Sequence, residues 1–145
     1  MDENIELLNY IYKSSDMGVS SCEKLIRDIN GKENKIKKIL EGILKGYENY
    51  KKESKRHIKK NNYELKNTPL MAKISASVKM SMQVDSDNSD ANIAHLLTQG
   101  LTMGCVDIAS KIDRYERDAD KKVLGLAKRY LKFQKESIDI LKDYL

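Results

Sequence analysis

Aromatic and turn-forming residues are scarce in this chain: one proline, no tryptophan, a single phenylalanine and seven glycines occur in 145 residues. Strands draw heavily on aromatic and β-branched side chains and on turn residues between them, so this supply argues for an all-α protein. Cys22 and Cys105 are too few for a disulfide scaffold and stand in no C-x-x-C or other ligand spacing, so they read as buried small apolar residues. No run approaches the roughly 20 apolar residues that crossing a bilayer needs. Met1-Asp2-Glu3-Asn4 is acidic and is not followed by the basic-then-apolar pattern of a secretory signal, so a cytoplasmic protein is expected. Phosphate loops, dinucleotide fingerprints, H-E-x-x-H and G-x-S-x-G strings are missing too, which leaves the common enzyme classes without support. With 40% apolar residues, the 145 positions suffice for one core, and a single domain over 1–145 is expected.

What is present is periodicity. Ile5, Leu8, Tyr12, Ser15, Val19, Cys22, Ile26 and Ile29 recur at steps of three and four, which predicts a helix over 3–29 that Asn30-Gly31 stops. Ile36, Leu40, Ile43, Tyr47, Tyr50, Ser54 and His57 continue the pattern and predict a second helix over 32–62. A link of two residues at most would make these two antiparallel neighbours. Thr68-Pro69 is a cap followed by a first-turn proline, and it opens a short helix over 69–84 with Leu70, Ile74, Val78 and Met82 or Ser81 inward. Ser89 or Asp87 caps a fourth over 89–115, carrying Ala94, Leu97, Leu101, Cys105, Ile108 and Ile112. The last, over 118–145, presents Leu124, Ala127, Leu131, Gln134, Ile138, Leu141 and Leu145.

Four of these helices span about 40 Å each at 1.5 Å per residue and can stand side by side, whereas the short one, at about 22 Å, cannot match them. It suits a connection that climbs back along the bundle. Bundle helices two and three then run parallel, the arrangement of ferritin-like folds, with an up-down bundle plus a packed extra helix as the alternative.

The strings Val78-Lys79-Met80-Ser81-Met82 and Asn92-Ile93-Ala94-His95-Leu96-Leu97-Thr98-Gln99-Gly100-Leu101-Thr102-Met103-Gly104 resemble a group of small, uncharacterised bacterial proteins with a ferritin-like four-helix bundle. The weaker helical pattern extends the likeness over most of the chain. The resemblance implies a fold and no reaction.

A carboxylate-bridged di-metal centre needs a Glu from each of two helices and an E-x-x-H from each of the other two. Only His57 and His95 are available, and Ser54 and Asn92 stand where the glutamates belong, so no metal site and no cofactor is expected. With turns aligned, Ser15, Tyr47, Tyr50, Gly104 and Gln134 fall in one central layer, read as a buried hydrogen-bond cluster. Ser14, Ser15, Gly18, Ser20, Ser21, Gly100 and Gly104 lower helix propensity and call for a compensating role. Gly100 and Gly104 share a face that admits either a close helix or a flat ligand between helices. Met80, Met82 and Met103 suit core filling or an adaptable apolar pocket. Asp85 to Asp90 opens like a calcium loop, but Asp90 replaces the turn glycine and Leu96 the bidentate glutamate, so capping explains it.

Charge is uneven. Of the net +5, all is accounted for by residues 45–66, where eight basic side chains face three acidic ones. Lys51, Lys52, Lys55, Arg56, Lys59 and Lys60 follow helical steps and form a candidate surface for nucleic-acid phosphates or an anionic membrane, set against a merely solvated face. No groove-reading motif accompanies them. The sequence therefore predicts a non-catalytic bundle that binds or supports and that self-associates. An electrostatic binder of nucleic acid is the alternative, and a degenerate metal-dependent oxidase the third reading.

Overall fold

A helix with one apolar stripe must cover that stripe with another helix, and the computed structural model meets this need with four long helices around a shared core. It describes residues 2–67, 79–80, 82–84 and 87–145. Helix α1 runs Asp2–Asp28, α2 Lys37–Lys60, α3 Asp90–Tyr115 and α4 Lys121–Leu141, with a 3-10 turn Lys142–Tyr144 closing the chain. No strand occurs among the described residues. Of the short helix expected over 69–84, residues 79–80 and 82–84 are helical, and the rest lies outside the described residues, Leu70, Ile74, Val78 and Ser81 included.

Side-chain hydrogen bonds fix the directions. Near the start of α2, the Asn34 amide donates to the Asn88 carbonyl at 2.9 Å and to Asp90 Oδ1 at 2.8 Å, and the Lys35 backbone N–H donates to Asp90 Oδ2 at 3.0 Å. The beginnings of α2 and α3 thus share one end of the molecule. At the other end, Asn4 Oδ1 accepts the Asp120 backbone N–H at 2.8 Å, and the Tyr115 hydroxyl donates to Glu6. The start of α1 therefore meets the turn between α3 and α4. Asn9, buried, donates to the Glu64 carbonyl at 3.1 Å and accepts the Lys66 N–H at 2.8 Å, which lays residues 64–67 back along α1. Helices α1 and α2 run antiparallel, as do α3 and α4, and α2 and α3 are parallel. Helix α1 packs chiefly on α2 and α3 chiefly on α4, while α1 also touches both α3 and α4.

Three expectations change. The first connection covers 29–36, because Asn34 and Lys35 are drawn off to Asp90 before α2 begins; Gly31, at φ 77°, takes the left-handed turn. The last helix begins at Lys121, since Asp120 is its N-cap and its N–H is held by Asn4. Burial also shifts along three helices. Ile58 is fully buried where His57 is only half-buried, Tyr130 is fully buried beside a half-buried Leu131, and Met82 is 68% exposed while Val84 is inside. The N-cap Ser89 behaves as expected and accepts the Asn92 N–H at 3.2 Å.

The mid-helix glycines sort by what a methyl group would meet. A Cβ at Gly18 would stand 2.5 Å from the Tyr47 ring, and one at Gly46 would stand 2.1 Å from Phe133, whereas nothing lies within 4 Å at Gly42. Gly42→Ala is expected to raise stability by roughly 0.5–1 kcal/mol through helix propensity. Gly18→Ala should lower it by about 1–3 kcal/mol, because the buried Tyr47 ring cannot retreat. Urea unfolding of the two variants checks the opposite signs.

Candidate functional site

Ser14, Gly18, Ser21 and Cys22 stand at helical steps on one face of α1, where the Tyr47 ring fills the room at Gly18 and the other side chains are small. The space they leave is a cavity of about 570 Å³ between the two helices, within the range of small-molecule sites. Leu97, Gly100, Leu101 and Gly104 form the facing wall on α3, and Tyr47 of α2 and Gln134 of α4 close the interior side. Met17, Met80 and Met103 add flexible apolar surface. Lys13 and the exposed Asp107 also line it, toward solvent.

Gly104 and Gly100 have separate uses. A Cβ at Gly104 would lie 2.2 Å from Gln134 Nε2, so this glycine seats the amide. At Gly100 nothing lies within 4 Å, and its missing side chain enlarges the cavity. Gln134 is 1% exposed. Its amide lies beside the Tyr47 phenol, and among the described residues Oε1 has no hydrogen-bond partner.

Three of the five residues expected in a central layer meet here: Tyr47, Gly104 and Gln134. Ser15 does not join them, because its hydroxyl bonds the Ile11 and Tyr12 carbonyls of its own helix at 2.6 and 3.1 Å. Tyr50 turns to an aromatic cluster, its ring centroid 5.2 Å from Tyr130 and 5.4 Å from Phe133. Sequence reading missed Tyr130 and Phe133. The steps Leu126, Tyr130, Gln134, Ser137 and Leu141, all buried, carried the signal for Tyr130 beside the Leu131 stripe.

The phenols and the buried thiol of the wall hold their protons at neutral pH. Burial, then the Asp107 carboxylate, pushes the Tyr10 phenol up to about 12. Burial, with a smaller push from Glu23, takes the Cys22 thiol up to about 12. Tyr47 is raised further still, first by burial, with the Gln134 hydrogen bond partly offsetting it. A thiol so far from its thiolate is a poor nucleophile. Apart from Lys13 and Asp107, the described wall offers apolar contact and neutral hydrogen-bonding groups.

The basic residues divide into separate surfaces. Lys51 pairs with the buried Asp16 at 2.9 Å, and hydrogen bonding to that carboxylate raises its pKa. Lys52 and Lys59 are exposed and Lys55 half-buried. Arg56 and Lys60 instead line a cleft of about 630 Å³ with His57 and with Lys122 and Arg129 of α4. Burial, and then Arg56, lowers the His57 pKa. Arg129 is tied to Glu53 at 3.1 Å. Lys122 was not legible as a member of this surface, although the absence of acidic residues in the first turn of α4, where they would favour the helix dipole, was a sign.

Among the described residues, no group of three or more His, Cys, Asp or Glu is placed to hold a metal ion. His95 is exposed, its Nε2 3.2 Å from the Gln99 amide nitrogen. No helix among the described residues is long and apolar enough to cross a membrane. No protein-family model matches the chain, and neither a curated protein nor a solved structure matches it.

Proposed function

We propose that this chain is a ferritin-like helical bundle that works by binding rather than by catalysis, and that it associates with copies of itself. The parallel course of α2 and α3, with residues 64–67 laid back along α1, supports the ferritin-like reading. The di-metal centre typical of that architecture does not fit these residues. A tyrosine, a glycine and a glutamine meet at mid-bundle, in place of the inward carboxylates and histidines that such a centre requires. The observation that carries the binding reading is the cavity of about 570 Å³ between α1 and α3. It is open, mainly apolar, and lined by small residues that leave room at a cost in helix propensity. Self-association draws support from Met103 and Val106, which stand one turn apart on α3 at 69% and 64% exposed.

The test uses 1-methylpyrene, a flat, neutral, fluorescent probe. Saturable binding of one probe per chain is expected, with loss of at least ten-fold in affinity in Gly100→Phe, whose ring would occupy the open space. Equal binding by both proteins, or none by either, overturns the reading. Light scattering on the same sample is expected to give a mass above one chain. Elemental analysis should find no stoichiometric transition metal, and finding it would favour the oxidase reading instead.

The cleft of Arg56, Lys60, Lys122 and Arg129 favours one second reading, electrostatic binding of nucleic acid. Retention on DNA that falls steeply with salt and is lost in Lys122→Glu would support it.

A further inference from the structure

We infer that the cleft between the end of α2 and the start of α4 holds a compact phosphate anion of two or more charges, seated among Arg56, Lys60 and Lys122. The inference rests on the electrostatic reading of this cleft and narrows its occupant from an extended strand to a single compact group. Arg56, His57 and Lys60 lie within little more than one turn of α2, and Lys122, Gly125 and Arg129 recur at steps of three and four on one face of α4. The bond from Arg129 Nη2 to Glu53 Oε1, at 3.1 Å, sets the two helices in register, so that the last turns of α2 stand beside the first turns of α4. Arg129 is also held by its Nε, which donates to the Gly125 carbonyl at 3.3 Å, and Glu53 offsets its charge. The other three cations have no such relief. Among the described residues, no carboxylate pairs with Arg56, Lys60 or Lys122. A Cβ at Gly125 would meet nothing within 4 Å, so packing does not call for the glycine, and its missing side chain leaves room in the cleft.

Like charges gathered in a concave surface repel one another and focus a positive potential, and an anion of matching charge relieves the first by answering the second. Three unpaired cations stand here against one lining carboxylate, Asp120, which leaves a balance suited to a dianion or more. Guanidinium and ammonium groups together are the usual phosphate donors, the first forked and the second a point charge. A compact group fits better than a strand, because the charges converge. Lys52 and Lys59 are exposed outside the cleft, and Lys51 is taken by Asp16, so no continuous row follows a backbone. His57 supplies the sole ring among the described lining residues, so recognition rests on the phosphates. Burial, then Arg56, lowers the pKa of that imidazole; Lys60 and Arg129 act in the same direction, and Glu53 opposes them.

The experiment titrates pyrophosphate into the full chain at low salt and follows the two histidines by NMR. One pyrophosphate per chain is expected, and its charge should raise the His57 pKa by about 0.5 or more, while His95, exposed on α3 and outside the cleft, stays where it was. Arg56→Gln and Lys122→Gln should each weaken binding about five-fold. Lys37→Gln removes the same charge from an exposed position at the far end of α2 and should change binding by less than about two-fold. Equal weakening by all three variants, or an unmoved His57, overturns the inference. Adenosine diphosphate should bind within about three-fold of pyrophosphate, and a preference for the nucleotide of about ten-fold or more would show a base site and overturn the assignment to phosphate alone. Retention of duplex DNA without binding of pyrophosphate overturns the inference and leaves the electrostatic reading standing, whereas binding of neither overturns both.

Discussion

Tyr130→Ala is expected to lower stability by about 3–5 kcal/mol, read as a lower urea midpoint with little change in slope. The residue is fully buried, and its ring packs 5.2 Å from Tyr50 and 6.2 Å from Phe133, in the aromatic cluster that joins α2 to α4. Its hydroxyl crosses to α1 and meets Ser14 Oγ at 2.6 Å. One side chain therefore ties three of the four helices, and its removal both opens a void and leaves Ser14 without that partner. Tyr130→Phe separates the two effects, because it keeps the ring and should cost only about 1 kcal/mol. Equal losses in the two variants would mean that the hydroxyl, and not the packed ring, carries the residue's weight. Because domain stabilities run to roughly 5–15 kcal/mol, the alanine variant is expected to lose a large share of the total.

The helices were legible because an amphipathic stripe repeats many times within each of them, so a single misplaced residue does not hide it. The return of the chain between α2 and α3 was legible from length alone, since the segment between Asn62 and Ser89 is too long for a turn and too short for a fifth full helix. Ser15 shows where this reasoning stops. Its place on the stripe was right and it is fully buried, but a serine inside a helix can spend its hydroxyl on its own backbone, and this one does. Spacing reports a face and not a partner. The same limit applies to Gly100 and Gly104, which share a face by register. That one seats an amide while the other opens onto a cavity depends on Gln134, thirty residues further along. Lys122 and Arg56 come together only through the packing of α2 on α4, and no local pattern connects them. The basic run looked like one stripe because charge was counted along the chain. In the fold, Lys51 is taken up by Asp16, which α1 presents from within the core's edge.

Alkaline pH is expected to unfold the protein between about pH 10 and 12, and the sign follows from which state holds the protons. Cys22 is fully buried with its thiol pushed from 9.0 up to about 12, and burial likewise holds the Tyr47 and Tyr130 phenols above their ordinary value of 10.0. Each of these groups keeps its proton in the fold and releases it in the unfolded chain. Stability is therefore independent of them below about pH 9 and falls above it, first through Cys22 and then, from about pH 10, through the tyrosines as well. One retained proton weakens the fold by about 1.4 kcal/mol per pH unit, so Cys22 alone removes about 4 kcal/mol between pH 9 and 12. The raised pKa of Lys51 acts in the same direction at the top of this range, because its pairing with Asp16 is lost once the ammonium deprotonates. With total stability of roughly 5–15 kcal/mol, these losses together suffice for unfolding. Tyrosinate absorbance and helical circular dichroism, followed together from pH 8 to 12.5, provide the check. The buried tyrosines should ionise in one step with the loss of helix, and Cys22→Ala should leave the urea midpoint flatter between pH 9 and 10. Full ionisation of all eight tyrosines with helix intact would show that the interior between α1 and α2 admits water freely, and that burial does not hold these protons.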